Sequence, residues 1–528
     1  MPTRTTSLWQ SDTPPLAYPP LAADVQADVC VVGAGISGLT TALLLQRAGR
    51  SVVVLDGGEA IGCGQTGRTT AHLASAVDDR YSDLENRFGL ETARLVHESH
   101  AAAVDLIETL CREEAIDCQF QRVEGWLFEP DGDHGPVLTR EFEAARRAGL
   151  DVRMAAQAPL TAATPDAAVS DATGPAARKV GPALVFANQA QFHPLRYLHG
   201  IARALEKHGG RIHTGSHAAV IEGGAHAHVV TSAGHTVHCG AIVVATNSPV
   251  NNTVALHTKQ AAYRTFVIAA EAPQGTLPHA LYWDTAAPYH YLRVAPGAAG
   301  KEWLVLGGED HKTGQDDDGE ARFAKLEQWL RAHVPGAGPV RHRWSGQVLE
   351  PADSLAFIGR NPLDKDNVYV VSGDSGNGLT HGTIAGLLLT DQMTLGDQAP
   401  LADAPRQGWA KVYDPGRSAL AAAGTFLKEI ANVVAQYSDL VSGGDVAGPD
   451  AIRPGQGAIV RRGLHKLAIY RDEAGTVHER SAVCVHLGCI VAWNSTEQSW
   501  DCPCHGSRFD PYGKVLCGPA NRDLDPAA

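Results

Sequence analysis

Nothing in this 528-residue sequence approaches the ~20 unbroken apolar residues that a membrane-spanning helix needs. That excludes a helical membrane span. Met1 to Pro20 holds Arg4 but no apolar core segment, no small-residue cleavage site and no twin-arginine pair, so the cytoplasm is the expected location. Basic clusters are equally absent, and a net charge of −14 gives the chain no means of neutralising phosphates. Nucleic acid and anionic membrane surfaces are therefore excluded as partners. No internal repeat is evident. What is present is the composition of a folded multi-domain chain, with 44% hydrophobic and 19% charged residues, long enough for about three units. Of the ten cysteines, Cys30, Cys63, Cys111, Cys118 and Cys239 are scattered and read as small apolar core residues. The other five fall in the last 45 residues, a metal-site signal rather than a secreted disulfide framework.

Those late cysteines are ordered. Cys484-Val-His486-Leu-Gly-Cys489 is followed by Cys502-Pro-Cys504-His505-Gly-Ser507. A C-x-H box and a C-x-x-H box supply two thiolates and two imidazoles, which suits a [2Fe-2S] cluster with two sulfurs on one iron and two nitrogens on the other. The ligand set is then Cys484, His486, Cys502 and His505. The same four residue types could hold a tetrahedral zinc. Zinc has no use for the extra cysteine that each box carries, Cys489 and Cys504.

Near the start, Asp28-Val-Cys-Val-Val32 reads as a buried strand running into Gly33-Ala-Gly35-Ile-Ser37-Gly38, an apolar-periodic helix, and a second strand from Ser51 to Leu55 that ends in Asp56. This is a dinucleotide fingerprint. Glycines allow the tight turn, the pyrophosphate rests on the helix N-terminus, and the acid receives ribose hydroxyls. The loop Gly62 to His72, with Thr66, Arg68, Thr69 and Thr70, is placed to wrap a pyrophosphate and reach a flavin. Tyr81 to Cys111 reads as one or two amphipathic helices, Gln119 to Phe128 as a strand, and Met154 to Ala177 as surface loop and helix. His193, before Pro194 at a helix start, reads as a capping residue more readily than a catalytic one. Tyr263 to Ala270 and Tyr289 to Val294 alternate like strands of an antiparallel sheet. A second glycine-rich turn, Gly373 to Gly382 with Gly376, Gly378, Leu379 and Thr380, opens another helix and makes FAD the expected cofactor. Gly396 to Arg406 has linker character, a helix is expected from Phe426 to Leu440, and Ser442 to Gly455 is rich in glycine and proline.

The two C-terminal boxes resemble the Rieske proteins of cytochrome bc complexes. The resemblance implies a Cys489–Cys504 disulfide and a Ser507 hydroxyl that donates to a cluster sulfur. It places Phe509 where a tyrosine donor usually stands, which implies a lowered potential. The rest resembles the FAD-dependent oxidoreductases of the D-amino-acid oxidase and glycine oxidase superfamily, and most closely its members fused to a Rieske domain. That resemblance places the backbone near Val220 at the adenine. It makes the strand His290-Tyr291-Leu292-Arg293 the substrate strand, with Arg293 as carboxylate anchor and Arg264 as the second candidate. No general base is implied.

The expected architecture is an α/β, Rossmann-like FAD-binding domain with an inserted antiparallel substrate sheet, interleaved over residues 1–425. A helix and linker follow at 426–446, and a small all-β Rieske domain occupies 447–528. The expected chemistry is oxidation of an amine or amino acid at FAD, with electrons passed to the cluster and on to an external acceptor. Two alternatives are an oxygen-using oxidase whose cluster is structural or sensing, and an electron-transfer reductase without an amine substrate.

Overall fold

The computed structural model describes residues 5–129, 136–161, 180–251, 256–298, 300–395, 404–417, 423–440 and 442–527. Strand Val25–Val32 changes character along its length: its first half alternates in burial, and Val29 to Val32 are all buried. Burial on both faces is what the middle of a parallel sheet demands. This strand pairs in parallel with Val52–Leu55 on one side and Thr236–Val244 on the other. Arg211–His213 and Val368–Ser372 extend the sheet in parallel, and Phe357–Arg360 closes one edge antiparallel. A hairpin, Ala218–Glu222 with His228–Thr231, is attached to Thr236–Val244. Helices Ile36–Arg47 and Gly378–Leu395, the two that open on glycine turns, pack against each other and share a core with Val29, Val31, Val54 and Val243.

The second sheet has nine strands. Val340–Pro351, Gln260–Pro273, Lys301–Lys312, His290–Pro296 and Ala280–Asp284 run antiparallel in that order. Gln121–Phe128 joins Ala280–Asp284 in parallel, and Ala183–Gln191 follows antiparallel. Helix Gly319–His333 covers one face with Phe323, Leu326 and Leu330, spaced to share one side of the helix. Helix Pro194–Lys207 begins with proline at its first position, and His193 accepts from the Arg196 N–H (3.3 Å), so His193 is a cap. The stretch expected as loop and helix from Met154 overlaps strand Val152–Ala155 and continues largely outside the described residues. The linker expected at Gly396 to Arg406 lies partly outside them too, and helix Ala404–Val412 takes its end.

Helix Ala423–Gln436 gives way to a 3₁₀ turn at Tyr437–Leu440, earlier than the sequence suggests. It lies between the two halves of the molecule. Lys312 Nζ meets Glu429 Oε2 at 2.6 Å, Gln315 donates to Asn432 (2.8 Å), and the Tyr437 hydroxyl donates to Leu487 O in the first cysteine box (2.8 Å). Two small antiparallel sheets complete the chain: Gln456–Arg462, His465–Arg471 and Val477–Ser481, then Ala492–Asn494, Ser499–Asp501, Arg508–Phe509 and Val515–Cys517. Among the described residues, no helix is long and apolar enough to cross a membrane.

Candidate redox site

The first glycine turn is shaped by close backbone approach. Gly33 leaves its strand at φ +112°, and a Cβ there would lie 2.4 Å from Ala245 O, while one on Gly38 would lie 1.9 Å from Gly33 O. Only glycine fits either position. A Cβ on Gly35 would meet nothing but Thr66 Oγ1, at 3.2 Å, so this side stays open for a ligand above the helix N-terminus. Thr66 Oγ1 accepts from the Ile36 N–H (3.2 Å). Asp56 receives the Ala34 N–H (2.6 Å) on one carboxylate oxygen and the Gly58 N–H (2.7 Å) on the other. It braces the turn, and each oxygen keeps a lone pair for a hydroxyl. Thr69 Oγ1 accepts from the Ala71 N–H, and Thr70 Oγ1 sits 3.0 Å from His72 Nδ1. The second turn packs onto the first, since a Cβ on Gly382 would lie 2.5 Å from Ser37 Oγ. There Gly373, Ser375 and Gly376 all have positive φ, Leu379 is buried, and Thr380 Oγ1 lies 2.8 Å from His100 Nδ1. Val220 lies on the hairpin strand Ala218–Glu222 and is half exposed.

Carboxyls crowd the second turn. Ser375 Oγ lies 2.7 Å from Asp79 Oδ2 and 2.8 Å from Glu350 Oε2. A hydroxyl donates one hydrogen, so one of these two carboxyls must itself carry a proton. Burial, and then the charge of Asp79, push Glu350 well above the usual carboxylate range, so the proton belongs there. Burial also raises Asp78 to about 7, Asp374 to about 6 and Asp310 to about 6. The Tyr289 hydroxyl donates to Asp78 (3.0 Å), Tyr291 and Thr265 hydroxyls pair at 2.5 Å, and the two tyrosine rings lie 5.2 Å apart.

The residues expected at the substrate divide. Tyr291 and Arg293 share one face of strand His290–Pro296 and His290 takes the other, because successive side chains alternate. His290 is held by Asp284 (2.9 Å) and stacks on Trp329, under the covering helix, away from Tyr291. Arg293 is buried, donates to Ala71 O and Phe192 O (both 3.1 Å), and stacks on Trp9 at 5.0 Å. Arg264 is also buried, donating to Ser345 Oγ and lying 3.9 Å from Glu497 and 3.7 Å from Asp501 of the C-terminal domain. Both guanidinium groups are thus engaged by groups of the protein itself. Arg68, expected at the pyrophosphate, reaches the same C-terminal carboxylate, with Nη2 2.7 Å from Glu497 and Nε donating to Ser345 O (2.5 Å). Burial alone would raise Glu497, but the charges of Arg68, Arg264 and Arg508 hold it at about 2. The positions of Arg68 and Arg264 share one cause, a second domain that packs over both, whereas Arg293 is enclosed by the flavoprotein half itself.

The cysteine boxes fold alike. In each, the first cysteine N–H donates to a carbonyl five residues on and its own carbonyl accepts from a positive-φ glycine: Cys484 with Cys489 and Gly488, Cys502 with Ser507 and Gly506. Cys489 and Cys504 form a disulfide (Cα–Cα 6.5 Å), so the Cys502 sulfur, within 4.8 Å of both, remains a free thiol alongside Cys484. The His486 and His505 rings stand perpendicular, 5.0 Å apart. His505 Nδ1 is buried without a hydrogen-bond partner. Two buried thiols and an orphaned imidazole nitrogen fit a two-sulfur, two-nitrogen cluster. The Cys502 contact lowers Cys484 to about 7 against burial, with a further contribution from the Ser507 hydroxyl. Ser507 also accepts from the Ala520 N–H (3.0 Å), and Phe509 is fully buried.

The histidine pair faces the other half of the molecule. His257, buried at the start of strand Gln260–Pro273, stands edge-on to His486 at 4.8 Å and 6.1 Å from His505. Neither His257 nor Glu497 carries a local sequence signal, since each is defined by the docking of distant segments. Tyr289, just ahead of the strand, could have been found from Tyr291, whose ring lies 5.2 Å from its own.

Two cofactor cradles on such a scaffold define a flavin and iron-sulfur oxidoreductase. The FAD dependent oxidoreductase family, DAO, matches residues 28–392, and the Rieske [2Fe-2S] domain family matches residues 444–527. This chain belongs to the DAO family of FAD-dependent oxidoreductases, carries a C-terminal Rieske domain, and binds FAD and a [2Fe-2S] cluster. The Rieske 2Fe-2S iron-sulfur protein YhfW of Bacillus subtilis (strain 168) is 30% identical over 98% of this chain and 96% of its own length. Gamma-glutamylputrescine oxidoreductase of Escherichia coli (strain K12) is 27% identical over 70% of this chain and 84% of its own. Glycine oxidase from Geobacillus kaustophilus shares the fold, with a TM-score of 0.59 at 17% identity over 75% of this chain and 99% of that one.

Proposed function

We propose that this protein oxidises a small amine at FAD and passes the electrons to its own Rieske cluster, from which an external one-electron acceptor takes them. The observation that carries the electron path is the orientation of the cluster edge: the His486 and His505 rings face His257 of the flavoprotein half. Bound FAD supplies acceptance of a hydride from the carbon beside the nitrogen, leaving an imine. Cys484, Cys502, His486 and His505 are placed to hold the cluster, and the two glycine turns are placed to hold the two ends of FAD.

An amine fits better than a carboxylate-anchored amino acid. Arg264 and Arg293 are engaged elsewhere, while Asp78, Asp310, Tyr289 and Tyr291 gather beside the second glycine turn. Carboxyls and ring faces are what a cationic amine meets favourably. Asp78, raised to about 7, can take the proton that an ammonium must lose before its neighbouring carbon gives up a hydride. The gamma-glutamylputrescine oxidoreductase relative adds support for a polyamine-derived substrate.

An anaerobic spectroscopic screen tests this. Polyamines, N-methyl amino acids and D- and L-amino acids are added while flavin bleaching and cluster reduction are followed together. Bleaching by a polyamine, with the cluster signal following, is the expected result. Bleaching by amino acids alone would remove the amine reading, and an oxidised cluster beside a bleached flavin would remove the electron path.

A further inference from the structure

One short stretch of strand Val340–Pro351 touches both cofactor regions. Gln347 is 4% exposed. Its backbone N–H donates to Gln65 Oε1 (2.7 Å), on the turn whose Thr66 meets the first residue of the dinucleotide helix. Its side chain reaches the opposite way, Nε2 donating to Gly506 O (2.9 Å) and Oε1 accepting from the Cys517 thiol (3.3 Å). Two residues on, the Leu349 N–H donates to Asp374 Oδ1 (3.1 Å), and Leu349 O accepts from the Ser375 N–H (3.0 Å) in the second glycine turn. Along an extended strand two residues span about 7 Å.

The joint is tight. Gly506 lies between His505 and Ser507, and a Cβ on it would sit 2.2 Å from Gln347 Nε2 and 2.4 Å from Ala262 Cβ. Beside it, the buried Arg68–Glu497 pair spans the same joint, and undocking would part it.

We propose that Gln347 is a positioning residue that fixes the cluster-bearing loop Cys502 to Arg508 against the flavin turn Gly373 to Gly378, so that the Rieske domain works as a docked electron partner rather than a carrier that leaves the flavoprotein. The proposal rests on the flavin-to-cluster electron path above. Outer hydrogen bonds to a metal-bearing loop set both the orientation and the tuning of its ligands. A rate that falls steeply with separation makes a fixed distance decisive.

The test uses the full holoprotein, with its flavin reduced photochemically under anaerobic conditions so that no substrate is needed. Gln347→Leu keeps the bulk and removes both side-chain hydrogen bonds. It is expected to slow cluster reduction at least tenfold, to speed amide exchange of Gly506 and Ser507 at least tenfold, and to leave cluster content by absorbance at the wild-type level. Wild-type transfer and wild-type exchange in this variant would overturn the proposal. If the wild type itself passes no electrons to the cluster, the electron-path reading fails, while exchange at Gly506 still decides whether Gln347 fixes the loop. Should Gln347→Leu not fold, Ala262→Leu widens the same joint from the flavoprotein side and carries both measurements.

Discussion

The cluster boxes and the substrate strand expose their chemistry differently. In the boxes, all four ligand candidates lie within 22 consecutive residues, from Cys484 to His505, and local turns bring them together. On the strand expected at the substrate, the residues that look chemical, Arg293 and His290, are held elsewhere, while Asp78, Tyr289 and Asp310 come together from separate segments. Ligands of a metal are dictated by its coordination number. A substrate contact is dictated by whatever packs behind it.

Four predictions press on that difference. The largest effect is expected from His486→Ala, which should abolish the [2Fe-2S] absorbance and EPR signal while FAD stays bound. Loss of FAD together with the cluster would show that the boxes are less self-contained than their local turns indicate. Next is Glu497→Ala. Removing one partner of a buried ion pair typically costs about 3–5 kcal/mol, and here it takes from Arg68 its carboxylate partner and leaves Arg264 with Asp501 alone. Denaturant unfolding should show that loss, with the Rieske domain melting before the flavoprotein. A smaller change is expected from Asp78→Asn, a roughly tenfold rise in KM for a cationic amine, equivalent to about 1.4 kcal/mol; neutral ligands of the same size should be unaffected.

The fourth concerns pH. Asp374 and Asp310 hold their protons to about 6 in the folded chain, above the ordinary carboxylate value of 3.8. Between these values each of the two binds more protons in the native state than in the unfolded one, so its contribution to stability falls as pH rises from 4 to 6. Thermal melts of flavin-free protein across that window should show a stability difference, wild type minus Asp374→Asn, that falls as pH rises, while the buried histidines His72, His311 and His381 add the same opposite trend to both proteins. A difference that does not fall would mean that Asp374 ionises freely.

Legibility follows the same division. The glycine turns at Gly33 and Gly376 were readable because both residues sit at positive φ, +112° and +73°, which glycine adopts without strain, and that requirement is local. The dinucleotide strand was readable because burial on both faces leaves an unbroken apolar run. Arg68 and Arg264 were misplaced for a physical reason: a buried arginine at a domain joint and one at a ligand look identical in one dimension, and Glu497, more than 200 residues from either, decides between them. Gln347 and His257 gave no signal, since their partners come from the far side of the same joint.

The single hydrogen on Ser375 has a consequence for the whole molecule. The formal charge of −14 counts every carboxyl as ionised, yet a hydroxyl wedged between Asp79 and Glu350 can satisfy only one anion. That pair therefore holds one proton in the native protein that the formal count omits. On unfolding the wild type gives up that proton and a Glu350→Gln variant does not, so the difference between the two, read with a pH electrode in weakly buffered solution, counts a hydrogen that diffraction would not show.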